Sequence, residues 1–204
     1  MRKITLVLSC EHAVNTVPEE YQVYFAPYQS LLETHRGFDR GAVVIAQKLS
    51  IFFKTELITA KATRLLIDCN RSLSHPHCFS EITTPLPKKE KAILIQQYYL
   101  PFRQQVEQVI KKHIEQNQEV WHLSLHSFTP TYNTITRNAD IGLLYDPKRP
   151  REVFLAKHWQ QQMKKQKQNL RIFIFFHSKL PEFCEFQKNT LGGPKSDDET
   201  GSTI

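Results

Sequence analysis

The sequence predicts an α/β protein built on a layered sheet. Short apolar, β-rich runs alternate with segments whose apolar residues recur at helical spacing, the pattern of helices packed on a sheet. Three apolar runs end abruptly in polar clusters: Glu11-His12, Asn70-Arg71 and His126-Ser127. In open α/β sheets, ligands collect beyond the carboxyl ends of the strands. The third observation is composition. With 204 residues, 40% hydrophobic and 23% charged, the chain can bury a sizeable core without a metal or disulfide to hold it together.

Ile4-Thr5-Leu6-Val7-Leu8 is almost continuously apolar, as expected of a central strand. Pro18-Glu19-Glu20 opens a loop or short helix, and the region to Leu32 is aromatic-rich and irregular. In "AVVIAQKLSIFF", Ala42, Ile45, Ala46, Leu49, Phe52 and Phe53 follow a helical period, with Asp39 placed as an N-cap. Residues 55–60 read as a second strand, and 65–68, within "TRLLIDCNRS", as another. Prolines, histidines and serines over residues 72–87 predict a long loop outside the sheet. A long helix follows over 88–118, with Tyr98, Phe102, Val106, Val109 and Ile110 on one stripe. Residues 120–125 are the clearest strand, 140–145 a short one, 151–165 a helix with a basic face, and 170–176 a last strand. The whole reads as one domain over 1–191, with 192–204 disordered because Gly, Pro, Ser, Thr and charge dominate there.

A formal net charge of +7 favours anionic partners. The basic stretch Arg151, Lys157, Lys164, Lys165, Lys167 and Arg171 belongs to no recognisable nucleic-acid module with basic and aromatic residues interleaved, so a solvated helix face is the better reading and nucleic acid is not the expected partner. Cys10, Cys69, Cys78 and Cys184 form no close pair, which predicts a reducing compartment without disulfides. No run is long enough for a signal segment or membrane span, so the expected location is the cytoplasm.

His12 and His126 each follow an apolar strand directly. Imidazole is a common zinc ligand, and zinc hydrolases use three protein ligands with a fourth position for water. Glu11, Glu33 and Asp39 are the candidate carboxylates that would complete such a set. Each residue also has a structural role open to it: strand-end hydrogen bonding for the histidines, helix capping for Asp39. Arg64, Asn70 and Arg71 bracket one predicted strand, and a guanidinium with a neighbouring amide can fix a carboxylate. His35 could orient a water or a substrate carbonyl. His75-Pro76-His77-Cys78 has the look of a metal tract but has no second close pair, and reads as a loop.

"SCEHAVNTVP", "HRGFDRGA", "TRLLIDCNRS", "SLHSFTP" and "ADIGLLYD" stand in the order and spacing of the N-formylglutamate amidohydrolase family, which the chain resembles over residues 4–170. That family is similar in fold to zinc carboxypeptidases and aspartoacylase. The resemblance implies a three-layer α/β/α fold with a mixed central sheet, one Zn2+ per chain, and hydrolysis of the amide of a small anionic N-formyl or N-acyl amino acid. It implies His12 and His126 as metal ligands with Glu11, or else Asp39, as the third. It also implies Arg64, Asn70 and Arg71 as the substrate-carboxylate site. His35 and Asp39 are the candidate catalytic residues, because they would lie near the end of the first strand.

After "NLRI" the chain departs from the family pattern and runs into "FIFFHSKLPEFCEF". The related peptidases place their general-base glutamate late, and neither Glu182 nor Glu185 sits in a matching motif. A truncated or frameshifted end is one expectation. A relative that binds metal or an amino-acid ligand without turnover is accordingly the alternative to an active hydrolase. A basic nucleic-acid-associated protein is the third reading.

Overall fold

The computed structural model describes residues 3–129, 131–132, 135–136, 138–167, 169 and 171–176. Its centre is a parallel sheet in which β1 (Ile4–Cys10) lies between β2 (Leu57–Thr59) and β3 (Glu119–Ser124). Parallel pairing with Ser9 opposite Ser124 and Cys10 opposite Thr59 brings the carboxyl ends of the strands together. β1 qualifies for the middle because Val7, Leu8, Ser9 and Cys10 are all buried.

Short helical turns α1 (Gln22–Phe25) and α2 (Gln29–Leu32) fill the irregular aromatic region. α3 (Ala42–Phe53) sets Ala42 and Ala46 against Cys10 and Ala13 in one buried cluster. α4 (Lys88–Leu94) and α5 (Leu100–Glu115) make up the predicted long helix, joined by a π turn over Ile95–Tyr99. Pro101 explains the interruption, since it has no N–H to give to the preceding turn. The wider turn just before it carries the Leu100 N–H to the Ile95 carbonyl instead. On α5, Phe102, Val106 and Ile110 recur every four residues and join Val7, Ile58 and Leu66 in the larger core.

Beyond β3 lie a two-residue antiparallel pair, β4 (Thr131–Tyr132) and β5 (Ile135–Thr136), and a separate parallel pair, β6 (Ile141–Tyr145) and β7 (Ile172–Phe176), linked by α6 (Pro150–Gln166). The α/β class is therefore as expected. Every pairing in the central sheet is parallel, and among the described strands the antiparallel element is only the β4–β5 pair. No helix among the described residues is long and apolar enough to cross a membrane. Arg151 pairs with Glu119, and Arg171 with Asp140 at 2.7 Å, so part of the basic stretch is neutralised within the chain.

Two local expectations are corrected. Residues 65–68 form turns, not a strand, because their backbone is held from elsewhere. Thr63 N–H reaches the Thr16 carbonyl at 2.8 Å, and Asp68 N–H reaches the Cys78 carbonyl at 2.8 Å. Leu65, Leu66 and Ile67 are apolar because this loop plugs the core. Asp39 does not cap α3 with its side chain. The N-cap is Gly41 at φ +79°, and the Asp39 carboxylate turns toward the histidines. The 72–87 loop lies outside the sheet as predicted, yet Cys78, Ile82 and Leu86 enter the core. Cys10, Cys69 and Cys78 are buried free thiols. The predicted tail at 192–204, Cys184, and the late Glu182 and Glu185 lie outside the described residues.

Candidate metal centre and active site

The aligned ends of β1 and β3 deliver Glu11, His12 and His126 to one place. The Asp39 loop is pinned beside them by its own backbone, since Asp39 N–H donates to the His12 carbonyl at 2.9 Å. Gly37 makes this approach possible. A side chain there would put its Cβ 2.1 Å from the Leu32 carbonyl oxygen, and the Gly37 carbonyl accepts the buried Thr63 hydroxyl at 2.8 Å.

His12, Asp39 and His126 together present one potential ligand atom each, all within 4.8 Å of one another. Asp39 Oδ2 stands 2.9 Å from His126 Nδ1 and 3.5 Å from His12 Nδ1. The latter is an ion-pair separation, too long for a good hydrogen bond, and His12 Nδ1 is buried with no hydrogen-bond partner. A buried ring nitrogen left unsatisfied beside a carboxylate and a second imidazole calls for an occupant. Ligand bonds of about 2.0–2.2 Å in a tetrahedron hold donor atoms roughly 3.3–3.6 Å apart, which the 3.5 Å between His12 and Asp39 matches and the 2.9 Å between His126 and Asp39 undercuts slightly. The residues present fit a metal ion.

Behind the triad stand two more carboxylates. Asp68 Oδ1 lies 2.7 Å from His12 Nε2 and accepts the Asn70 N–H at 2.9 Å. Its Oδ2 faces Arg64 at 3.1 Å and Arg71 at 3.4 Å. Glu11 lies on the other side, with Oε2 3.3 Å from His126 Nε2, and accepts hydroxyl hydrogens from Ser9 at 2.7 Å and Ser124 at 2.6 Å. Burial alone would raise all three carboxyls. The imidazoles, joined by Arg64 and the Asn70 N–H at Asp68 and by the serines at Glu11, outweigh it and hold them well below the usual carboxylate range. Burial would lower His126, but hydrogen bonds and charge from Asp39 and Glu11 raise it to about 9.

The expected site residues therefore divide. Glu11, His12, Asp39, Arg64, Asn70, Arg71 and His126 converge. Asp39, rather than Glu11, is the carboxylate that groups with both histidines, because Glu11 approaches His126 from the Nε2 side and its oxygens are held by serines. His35 is exposed on the turn before Asp39, and no hydrogen bond or ion pair joins it to the cluster. Glu33 is exposed and bonded to Asn15. His75 and His77 remain in their loop, where the Arg71 guanidinium approaches His75 at 3.0 Å.

Sequence reasoning missed Asp68, Ser9, His122 and Ser124. A signal existed for the last two: His122, Ser124 and His126 alternate in β3 and beyond, so they share a face with Ser9 and Glu11. Asp68 was hidden by its apolar neighbours.

The sequence pattern of N-formylglutamate amidohydrolases matches residues 4–172 of this chain. Among solved structures, a gene product of Agrobacterium tumefaciens is similar at a TM-score of 0.74 and 26% sequence identity, over 85% of this chain and 69% of that one. No functionally curated protein matches significantly. The family match spans the strand ends that carry Glu11, His12 and His126 together with the Asp39 and Asp68 loops, and on that extent the chain belongs to the N-formylglutamate amidohydrolase family.

Proposed function

We propose that the protein is a zinc-dependent hydrolase that cleaves the amide of an N-formyl or N-acyl amino acid resembling N-formylglutamate. The observation that carries the reading is the buried, unpartnered His12 Nδ1 facing Asp39 and His126. In it, His12, Asp39 and His126 hold the metal, which when bound would polarise the scissile carbonyl and acidify a water.

The remaining chemistry belongs to side chains. Arg64 and Arg71 are part-exposed, at 26% and 19%, with Asp68 holding the inner edge of each guanidinium. A guanidinium pairs with a carboxylate through a planar fork, which suits Arg64 and Arg71 to a substrate carboxylate, and Asn70 beside them can fix its orientation. A basic chain suits that anionic substrate.

One observation favours a second reading, binding without turnover. Asp39, Asp68 and Glu11 are all committed to imidazole, guanidinium or hydroxyl partners, so none stands ready to take a proton from water.

Metal analysis and formate release from N-formyl-L-glutamate separate the two. The active enzyme should carry one zinc per chain and release formate, with both properties lost in His12→Ala and His126→Ala. Stoichiometric zinc without turnover supports the second reading. Failure of the purified chain to bind any divalent metal would refute the first reading, and failure to bind either a metal or N-formyl-L-glutamate would refute the second.

A further inference from the structure

Behind the His126 ring lies a polar group that metal binding and substrate recognition leave unexplained: the buried Ser9, Glu11 and His122 with the part-buried Ser124. Its hydrogen-bond directions can be worked out from donor counts alone. Each oxygen of the buried Glu11 carboxyl faces one serine hydroxyl at short distance and accepts from it, and each serine hydroxyl has a single proton. Ser9 lies 2.7 Å from Glu11 Oε1 and Ser124 2.6 Å from Oε2, so both serines donate to the carboxylate.

With its proton committed to Glu11, Ser124 can only accept from His126 Nε2, which lies 2.9 Å away. Glu11 Oε2, at 3.3 Å from the same nitrogen, can also only accept. Nε2 of His126 must therefore carry a hydrogen. By the same count Ser9 accepts from His122 Nε2 at 2.9 Å, so both histidines on this face answer to one carboxylate.

The geometry points to Glu11, acting through Ser124, as a positioning residue that fixes His126 as the Nε2–H tautomer and reserves its Nδ1, the nitrogen 2.9 Å from Asp39, for the metal. Asp68 does the same from the opposite side for His12, whose Nε2 it holds at 2.7 Å. This inference rests on the metal-centre reading above. It gives Glu11 a place behind the ligand rather than in the ligand set, and it explains why a carboxylate and Ser9 are buried, with Ser124 beside them, where apolar packing would otherwise serve.

The test uses the full chain, labelled with 15N-histidine and loaded with 113Cd2+, and reads which His126 nitrogen couples to the metal. Coupling at Nδ1, with Nε2 showing the shift of a protonated nitrogen, is the expected result. Zinc affinity by chelator competition supplies a second readout. Glu11→Gln and Ser124→Ala should each weaken binding about 10–100-fold. Ser124→Thr keeps the hydroxyl on a strand-compatible side chain and should stay within about twofold of the parent. The serine pair carries the test if Glu11→Gln does not fold. Coupling through Nε2, or parental affinity in Ser124→Ala, would overturn this inference alone. Absence of Cd2+ and Zn2+ binding in the parent protein would overturn the metal-centre reading and this one with it.

Discussion

Replacing Asp68 by asparagine probes the link between metal and substrate sites most directly. The side chain keeps its shape, so packing of the loop is preserved. Its Oδ1 can still accept from His12 Nε2, now without charge. The amide nitrogen then falls where Oδ2 was, facing Arg64 at 3.1 Å and Arg71 at 3.4 Å, donor against donor. Hydrogen bonds to charged groups are worth about 1.5–3 kcal/mol each, and the part-exposed arginines recover some of their loss from water. Loss of a carboxylate behind a metal-binding histidine typically costs 10–100-fold in metal affinity, about 1.4–2.7 kcal/mol. Asp68→Asn should therefore bind zinc 10–100-fold more weakly in chelator competition. If the protein turns over, it should also show a raised KM for N-formyl-L-glutamate as Arg64 and Arg71 lose their anchor. Zinc affinity within about twofold of the parent, in a protein that melts normally, would refute the reasoning that Asp68 orients His12.

Other perturbations follow from the same geometry. The metal-free protein should be most stable between roughly pH 5 and 6.5. His126 is raised to about 9 from 6.5, so its contribution is whole below 6.5 and is lost as pH rises through 9. Glu11, Asp39 and Asp68 are depressed, so theirs is present above the ordinary carboxylate range and is lost as pH falls below it. Melting curves of the metal-stripped protein across roughly pH 2–10 check both limbs; a flat profile from about 6.5 to 9 would count against the His126 contacts. Gly37→Ala forces a Cβ 2.1 Å from a backbone oxygen and should cost about 1–3 kcal/mol while weakening zinc binding through the displaced Asp39 loop. Gly41→Ala meets no atom within 4 Å and strains only a φ of +79°, so it should cost about 1–2 kcal/mol and leave zinc affinity alone. Denaturant melts and zinc titrations on both variants test the contrast. Burial pushes the Cys10 and Cys78 thiols up to about 12, so both should resist a thiol reagent at pH 8 and react on unfolding; mass spectrometry of the labelled peptides reads this.

Much of the fold was legible because hydrophobic period is a local property. The run 4–8, the stripe Phe102–Val106–Ile110 and the apolar strand before His126 each announce their element. The 65–68 run misled for a physical reason. Continuous apolar character records burial, and a core-plugging loop is as buried as a strand. Only long-range bonds such as that from Asp68 N–H to the Cys78 carbonyl distinguish the two.

The sequence by itself placed His12 and His126 at strand ends, because polar residues directly after apolar runs mark the carboxyl edge of a sheet, whereas Arg64, Asn70 and Arg71, named for the same reason, reach the cluster on a loop. Which carboxylate joins the histidines was a tertiary decision. Glu11 is adjacent to His12 in the chain, yet the pleat turns it behind His126 to Ser9 and Ser124. Asp39, 27 positions beyond His12 and suited to cap a helix, is brought beside both histidines by a backbone bond to the His12 carbonyl, by the Ser127 N–H on its Oδ2 and by a glycine that lets its loop close. Adjacency in sequence sets which residues travel together, while the direction each side chain faces depends on strand register and loop packing. Those arise only once distant segments meet.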